Sequence, residues 1–422
     1  MTTEVGTTNA TLPDRSYRQL FRTPSFPLLA MATMLGRIGG QVWQIVLILF
    51  ILQRYQSPAL AGVATFLALV PGLIVSPIAG ALLDRHGRLR LILFDFGVGA
   101  LALLVIAVLS YLHLLSVLLL LVIVAISSLT GPLSASGTRA LFPLVVPRPL
   151  WDRANAVDSG SMALAMVVGP VLAGFAVAWC GGEGAFLVAA VIFIIAGFVV
   201  VGVHYPEIRV PTTESLLSSA WQSLVYVVKQ PTLRGVVFSL WMTNIPFGIL
   251  TVTLPVLALQ QFHWNAAAVG SLWAITGVTT VFSGVLVGRF NSEGRERWMI
   301  AIGLMLGAIA CLLIVTQSLW GLLAGMVLFG ISFGPIDIGL FALRQRRTDP
   351  RWFGRVFAVS MSLNFAGMPV GAALAGVVAE QSIILALLAA AAIAVVGCAV
   401  PLLAIPRADN TPLARSPHET IG

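Results

Sequence analysis

Residues 80–92 read GALLDRHGRLRLI and separate two long apolar runs, at 59–83 and 89–110. Four charged side chains fall within seven residues of this stretch: Asp84, Arg85, Arg88 and Arg90. Each apolar run is long enough to cross a bilayer, which takes about 20 residues of helix. A charged side chain at the bilayer centre costs at least about 2.5 kcal/mol. The stretch therefore predicts a turn in water between two membrane-spanning helices.

The composition extends this prediction to the whole chain. Of its 422 residues, 58% are hydrophobic and 9% are charged, and the mean hydropathy is +0.98. Soluble globular proteins carry about 25% charged residues, so the composition indicates an integral membrane protein. The cationic N-terminal segment precedes an apolar run too long for the core of a cleavable signal peptide. We therefore expect the first span to remain as an anchor.

Polar breaks divide the chain into twelve apolar runs, which we number as spans 1–12. They lie at 26–52, 59–83, 89–110, 114–138, 154–180, 184–203, 233–260, 266–288, 298–317, 319–343, 353–380 and 382–405. Nearly all cations fall in the two tails and in alternate connections between spans, and the remaining connections hold only Arg54. Because basic loops stay in the cytoplasm, the pattern predicts that both termini are cytoplasmic. The same pattern accounts for the net charge of +8 without a nucleic-acid partner.

The two ends of the chain repeat one another. Residues 153–174 match residues 355–376 at nine positions, at a constant offset of 202 residues, and the matches include an arginine and two glycines. At a similar offset, GALLDR at 80–85 corresponds to GVLVGR at 284–289. A common offset with aligned glycines and arginines is not expected from apolar composition alone. The chain is therefore predicted to contain two six-helix halves in the same orientation.

The repeat sets the predicted domain boundaries. The first six-helix bundle is residues 1–205, and the second is residues 233–422 with a cytoplasmic tail. Apolar residues recur at helical spacing within the connecting residues 206–232, which predicts an amphipathic cytoplasmic helix along the membrane interface. Parallel halves with a substrate path between them are a transporter architecture.

Residues 80–92 resemble the signature between spans 2 and 3 of the major facilitator superfamily, which reads Gly-x-Leu-x-Asp-Arg-x-Gly-Arg followed by a basic residue. Residues 347–376, at the junction of spans 10 and 11, are similar to the superfamily branch that exports multiple drugs, macrolides and siderophores and includes the enterobactin exporter. The resemblance implies an all-α integral membrane protein with twelve transmembrane helices in two parallel halves, the major facilitator fold. It implies secondary transport without a cofactor or metal, and the sequence has no Walker A motif for ATP.

The resemblance also implies a cytoplasmic gate, which the signature loop latches. The candidate gating residues are Gly80, Asp84, Arg85, Gly87, Arg88, Arg90, Asp95, Arg153 and Arg355. From the residues alone, a solvated loop that only sets topology remains the alternative. Gly169, Pro170 and Gly174 of span 5 resemble an exporter-associated Gly-Pro motif. Small residues at this spacing, repeated in span 11, let spans 5 and 11 pack tightly or slide.

A few polar residues inside the apolar runs predict the substrate cavity, which spans 1, 4, 7 and 10 line in the resembled fold. The candidate cavity residues are Arg37, Gln41, Gln44, Ser127, Thr130, Trp241, Asn244, Asp337 and Asn364. Many relatives carry an acidic residue in span 1, whereas this chain has Gly40 there. Burial disfavours the charged form of a carboxyl group, so Asp337 is the candidate proton carrier. Arg37 is expected to meet an anion, either Asp337 or a substrate, while Asp158 is assigned to the gate.

These features together predict a monomeric, proton-coupled exporter of amphipathic small molecules, such as drugs or siderophores, in the bacterial inner membrane. A few polar groups among aromatic residues suit an amphipathic substrate better than a sugar. Two alternatives stay open: a lysophospholipid transporter in which Arg37 holds a phosphate, and a non-transporting membrane receptor. An enzyme is not indicated, because the sequence offers no nucleophile–base set. The three scattered cysteines support neither a disulfide framework nor a metal site.

Overall fold

The computed structural model describes residues 16–205, 216–347, 359–360 and 363–407. In these residues all regular structure is helical, without a β-strand. Eleven of the described helices are long and apolar enough to cross a membrane. The one at Arg148–Val201 has 54 residues, enough for two crossings, and Gly181 interrupts it with φ 71° and ψ 177°. Because this interruption lies between the predicted spans 5 and 6, the described helices supply twelve spans.

The helix bounds follow the predicted spans to within a few residues at most ends. Spans 1 to 3 are Phe26–Tyr55, Pro58–His86 and Arg88–Tyr111; span 4 is Val117–Ser128 followed by Gly131–Val145; spans 5 and 6 are the helix Trp151–Val201. Span 7 is Pro231–Val256 with a π-helical end, Leu257–Gln261; spans 8 to 12 are Ala266–Val287, Glu296–Val315, Leu319–Arg347, Gly367–Gln381 and Ile383–Ala404. Shorter helices are Tyr17–Arg22 before span 1 and Leu216–Lys229 in the predicted linker.

We call the side at which span 1 begins and span 12 ends the basic face, and the other side the opposite face. Four spans that begin at the opposite face start with a side-chain cap. Ser57, Ser116, Asn265 and Ser382 each accept a hydrogen bond from the backbone N–H three residues further on. Such caps satisfy backbone donors that a helix leaves unpaired at its N-terminus. They let the chain reverse direction within a few residues at this face.

The two halves meet along two seams, span 2 against span 11 and span 5 against span 8. Near the opposite face both seams bring backbone against backbone. A Cβ added to Gly62 would lie 2.8 Å from the Cα of Gly376, and one added to Gly174 would lie 3.0 Å from the Cα of Gly270. The glycines of spans 5 and 11 thus permit tight packing, and in each case the partner helix belongs to the other half.

The seams separate toward the basic face. Among the described residues, a Cβ added to Gly80 of span 2, or to Gly284 of span 8, would meet nothing within 4 Å. These glycines lie about 18 and 14 residues along their helices from Gly62 and Gly270, or about 27 and 21 Å at the helical rise of 1.5 Å per residue. The protein is therefore closed at the opposite face and open at the basic face.

Candidate functional site

A cavity of about 1470 Å³ lies between the two halves. All six spans of the first half line it, together with spans 7, 8, 10 and 11 of the second half. It reaches the basic face at Asp84, Arg88 and Arg139. Deeper in the membrane Phe333 lines the cavity and packs edge-on against Phe247, with ring centroids 5.9 Å apart. The cavity thus combines a charged mouth with an aromatic interior.

Five of the nine predicted cavity residues line this cavity: Arg37, Ser127, Asn244, Asp337 and Asn364. Two of them join spans 7 and 11, because the side-chain amide of Asn244 donates to the backbone oxygen of Asn364 at 3.2 Å. Asparagines between spans 7 and 11 therefore present polar groups to the cavity and also link two helices of the second half.

The other four predicted cavity residues lie outside its lining and make packing contacts. Gln41 turns toward span 5, where a Cβ on Gly169 would lie 2.4 Å from the Cβ of Gln41. The amide nitrogen of Gln44 is buried and has no hydrogen-bond partner among the described residues. Thr130 donates back to the Ser127 backbone oxygen at 3.0 Å, and the Trp241 indole donates to the Leu363 oxygen at 2.7 Å. Sequence spacing alone did not distinguish the cavity face of each helix from its packed face.

Arg37 lies in a polar cluster between spans 1 and 5. Its Nη2 is 2.6 Å from Asp158 Oδ1, and its Nη1 donates to the backbone oxygen of Asp158 at 2.6 Å and to the Ser161 hydroxyl. Arg139 of span 4 approaches the other carboxylate oxygen, with its Nε 3.8 Å from Asp158 Oδ2. In this conformation the anion beside Arg37 is therefore Asp158, which the sequence had assigned to the gate, and not Asp337.

Asp337 lies on span 10, on the second half's side of the cavity, and its side chain is exposed there. Of the described second-half residues that line the cavity, only Asp337 has a charged side chain. Its charge is attracted by Arg344, which is seven residues further along the same helix and buried. A seven-residue separation puts both residues on one helix face, about two turns apart.

The signature loop makes its recorded polar contacts within the first half. Arg88 pairs with Asp84, four residues before it, at 2.8 Å between Nη2 and Oδ1, and its Nη1 donates to the Ala140 oxygen at 3.0 Å. Gly87 ends span 2 with φ 93°, a conformation that favours glycine. Arg85 and Arg90 lie outside the cavity lining. These contacts fit an open basic face, where the loop has no partner in the other half among the described residues.

The remaining candidate gating residues occupy different surroundings. Gly80 and Asp95 line the cavity, and Asp95 lies close to Ser134 and Thr130 of span 4. Arg153 lies over the ring of Tyr17, with 5.9 Å from its guanidinium carbon to the ring centroid. Arg355 lies outside the described residues. The structure thus brings only part of the predicted gate set to the cavity mouth.

Sequence reasoning missed Arg139 as a cavity residue. It ended span 4 at residue 138 and counted Arg139 among the basic connections, whereas the helix Gly131–Val145 continues for seven more residues. The apolar residues after Arg139, from Ala140 to Val146 around Pro143, were the available signal. Pro143 lies inside this helix, although proline usually ends or kinks one.

Two overlapping segments of the chain, residues 28–295 and 236–421, match the family model described as Major Facilitator Superfamily. The chain belongs to the major facilitator superfamily. The matches extend over both halves, so family membership applies to the whole helical assembly. It accords with the twelve-span architecture and with a cavity between two parallel halves.

Several members of the superfamily are similar over most of their length. An uncharacterized MFS-type transporter, y4rN of Sinorhizobium fredii, is 38% identical over 402 residues, covering 94% of this chain and 99% of that protein. The multidrug efflux pump Tap of Mycobacterium bovis is 24% identical over 424 residues, covering 93% and 96%. Macrolide efflux protein A of Streptococcus pyogenes is 19% identical over 354 residues, covering 82% and 86%. The predicted resemblance to the multidrug and macrolide efflux branch is confirmed.

Solved structures of the superfamily have the same fold. A mutant of the nucleoside transporter NupG superposes with a TM-score of 0.74 at 13% identity, over 89% of this chain and 98% of that one. A bacterial homologue of the human lysosomal transporter Spinster, in an inward-facing and unoccupied conformation, gives 0.70 at 15% identity, over 90% and 95%. These likenesses concern the fold alone, and they confirm the predicted major facilitator fold.

Proposed function

We propose that the protein is a proton-coupled exporter of amphipathic small molecules in the bacterial cytoplasmic membrane. The observation that carries this proposal is the cavity, which combines aromatic walls with one exposed carboxyl, Asp337, among the described residues on its second-half side. The similarity to a multidrug efflux pump and a macrolide efflux protein supports export rather than uptake. Alternating access supplies the mechanism, because the cavity is open at one face and closed at the other.

The orientation follows from the distribution of cations. Apart from Arg37 inside span 1 and Arg54 at its far end, the arginines lie in the tails, connections and span ends of the basic face, and basic loops are retained in the cytoplasm. We therefore assign the basic face and both termini to the cytoplasm. The structure then represents the conformation that receives substrate from the cell, and transport requires the two seams to open at the opposite face and close at the basic face.

The walls of the cavity suit a substrate that is partly apolar. Trp43 and Phe333 line its interior, and Phe341 and Phe365 line the second-half wall with their rings exposed. Asn244 and Asn364 add amide groups among these rings. Ligand sites with large apolar walls and a few placed polar groups bind mainly by burying apolar surface. A sugar would leave most of its hydroxyl groups without partners on such walls.

Asp337 is the group proposed to carry the proton. Its carboxyl faces the cavity, so in the cytoplasm-open conformation a proton can leave it to water from the cell. In the opposite conformation the same carboxyl would face the outside and collect a proton. If this carboxyl must be neutral before the halves rearrange, the empty protein can return to the cytoplasm-open conformation only after it has bound a proton from outside. Proton entry is thereby coupled to each transport cycle. Intramembrane ionisable residues mark such proton pathways in transporters.

Transport in proteoliposomes tests the proposal. An imposed pH gradient is expected to drive movement of a fluorescent amphipathic dye in the wild type. Asp337→Asn should abolish gradient-driven transport, while Asp152→Asn, an exposed carboxylate at the start of span 5 outside the cavity, should not. Wild-type coupling in Asp337→Asn would rule out Asp337 as the carrier. Lipid movement without a gradient would support the lysophospholipid alternative, and failure of the folded protein to move any compound would support a receptor.

A further inference from the structure

The cluster between spans 1, 4 and 5 holds more positive than negative charge. Asp158 is the only carboxylate paired there among the described residues, and it serves two guanidinium groups. Arg37 takes one carboxylate oxygen at 2.6 Å, and Arg139 lies 3.8 Å from the other. The two arginines also act on each other electrostatically, as like charges. Two cations around one anion leave a net charge of +1, so the cluster can accept a second anion.

Arg139 is the member of the cluster that is available to such an anion. Arg37 is enclosed, with 15% of its side chain exposed, and its contacts with Asp158 and Ser161 use both terminal nitrogens. Arg88, the neighbouring cation at the mouth, is held by Asp84 and by the Ala140 oxygen. Arg139 has 52% of its side chain exposed, and the long approach to Asp158 is its only ion pair among the described residues.

The position of Arg139 favours a ligand that enters the cavity. Its side chain lines the cavity wall, as do Ser136, three residues earlier on the same helix, and Ser159 of span 5. A guanidinium group presents several N–H donors in a plane that matches the two oxygens of a carboxylate, and serine hydroxyls can donate to the same anion. The second half faces this wall with the exposed rings of Phe341 and Phe365.

We propose that Arg139 binds a carboxylate group of the transported substrate, so that the exported compounds include amphipathic organic acids. The acid group lies against Arg139 in the first half, and the apolar body lies against the aromatic rings of the second half. This inference rests on the proposed function, because it takes the cavity to be the substrate site. It makes Arg139, rather than the enclosed Arg37, the residue that selects for a negative charge.

Binding to the purified protein in detergent tests the inference without any gradient. Three probes share one fluorophore and differ in charge: dansylglycine is anionic, dansylamide is neutral and dansylcadaverine is cationic. Arg139→Gln is expected to weaken dansylglycine binding about tenfold, the usual effect of losing a charge-assisted hydrogen bond. It should leave dansylamide within about twofold and strengthen dansylcadaverine, since the removed charge repels a cation. Arg139→Lys should retain part of the preference for the anion.

Two further variants separate this role from a structural one. Arg148→Gln removes an arginine that lies over the Trp151 ring outside the cavity, and it should change none of the three affinities. Asp158→Asn removes the anion between Arg37 and Arg139 and should strengthen dansylglycine binding. The inference is overturned if Arg139→Gln weakens all three probes equally, or if it leaves the order of the three affinities unchanged. Because these measurements need no gradient, loss of proton coupling alone would overturn the proposed function and leave the Arg139 site standing.

Discussion

The two halves of the protein have the same fold and line the cavity with different chemistry. The first half contributes six charged side chains to the lining: Arg37, Asp84, Arg88, Asp95, Arg139 and Asp158. Among the described residues, the second half contributes one, Asp337, beside asparagine and phenylalanine side chains. The repeat therefore preserved the packing of the helices and not their polar groups. A transporter built this way can assign ion-pair rearrangement to one half and contact with the apolar substrate to the other.

The halves are most alike where they touch. Gly62 of span 2 meets Gly376 of span 11, and Gly270 of span 8 meets Gly174 of span 5. Gly270 follows Gly62 by 208 residues and Gly376 follows Gly174 by 202, so each seam repeats the other with the halves exchanged. Backbone contact leaves no room for a side chain, which explains why small residues recur here while the cavity wall diverged.

Removing Arg37, in the first half, is expected to lower the stability of the protein more than any other substitution considered. Arg37→Ala leaves Asp158, only 16% exposed, without its closest cation. Removing one partner of a buried ion pair typically costs about 3–5 kcal/mol, and access from the cavity should reduce this to about 1–3 kcal/mol. Thermal unfolding in detergent should therefore show a clear fall in the melting temperature.

The matched comparison for Arg37 is the double variant Arg37→Ala/Asp158→Ala. If the ion pair causes the instability, the double variant should melt above Arg37→Ala, since no enclosed charge is left unpaired and Arg139, which also loses Asp158, is half exposed. Asp337→Ala, which removes the second half's cavity-lining carboxylate, should change the melting temperature much less, because Asp337 is more exposed than Asp158. Equal losses for Arg37→Ala and Asp337→Ala would contradict the division of charge between the halves.

Substitution of the seam glycines is expected to have the next largest effect, here on the balance between the two conformations. It tests whether the two seams are equivalent. Gly62→Val and Gly174→Val each put a branched side chain where backbone atoms lie within about 3 Å. Both should prevent closure at the opposite face and shift the population toward a conformation open there. Distances between spin labels across each seam should lengthen in both variants.

Control glycines for the seams are Gly80 and Gly284, where a Cβ would meet no described atom within 4 Å. Gly80→Ala and Gly284→Ala should leave the label distances at the opposite face unchanged. If the label distances lengthen in Gly62→Val and not in Gly174→Val, only the span 2–span 11 seam controls closure. The two seams would then be alike in structure and different in function.

The sequence predicted the architecture well because the bilayer imposes it. Span length, the alternation of cations between connections and the repeat at a fixed offset each reflect a constraint that acts along the chain. The cavity was predicted less completely. The partner of Arg37 is Asp158, 121 residues further along the chain. Gln41 faces span 5, where Gly169 leaves room for its side chain. Contacts of this kind depend on three-dimensional packing, and the pattern of residues along a single sequence does not reveal them.

The smallest expected effect concerns a side-chain hydrogen bond that distinguishes the two seams. Ser57 of span 2 donates to Glu380 of span 11 at 3.3 Å, and no matching bond joins spans 5 and 8 among the described residues. The bond lies at the exposed opposite face, so it should favour closure by less than about 1 kcal/mol. Glu380→Gln should therefore change the label distance across this seam slightly or not at all.

Ser57 needs a separate comparison because it also caps span 2, accepting from the Leu60 backbone N–H at 3.1 Å. Ser57→Ala removes the cap and the seam bond together, whereas Glu380→Gln affects only the seam. If Ser57→Ala lowers the melting temperature and Glu380→Gln does not, the serine stabilises the helix start, and closure relies on the glycine contacts common to both seams. If both variants open the span 2–span 11 seam as much as Gly62→Val does, a polar latch present in one half outweighs the shared backbone contacts, and the two seams are not equivalent.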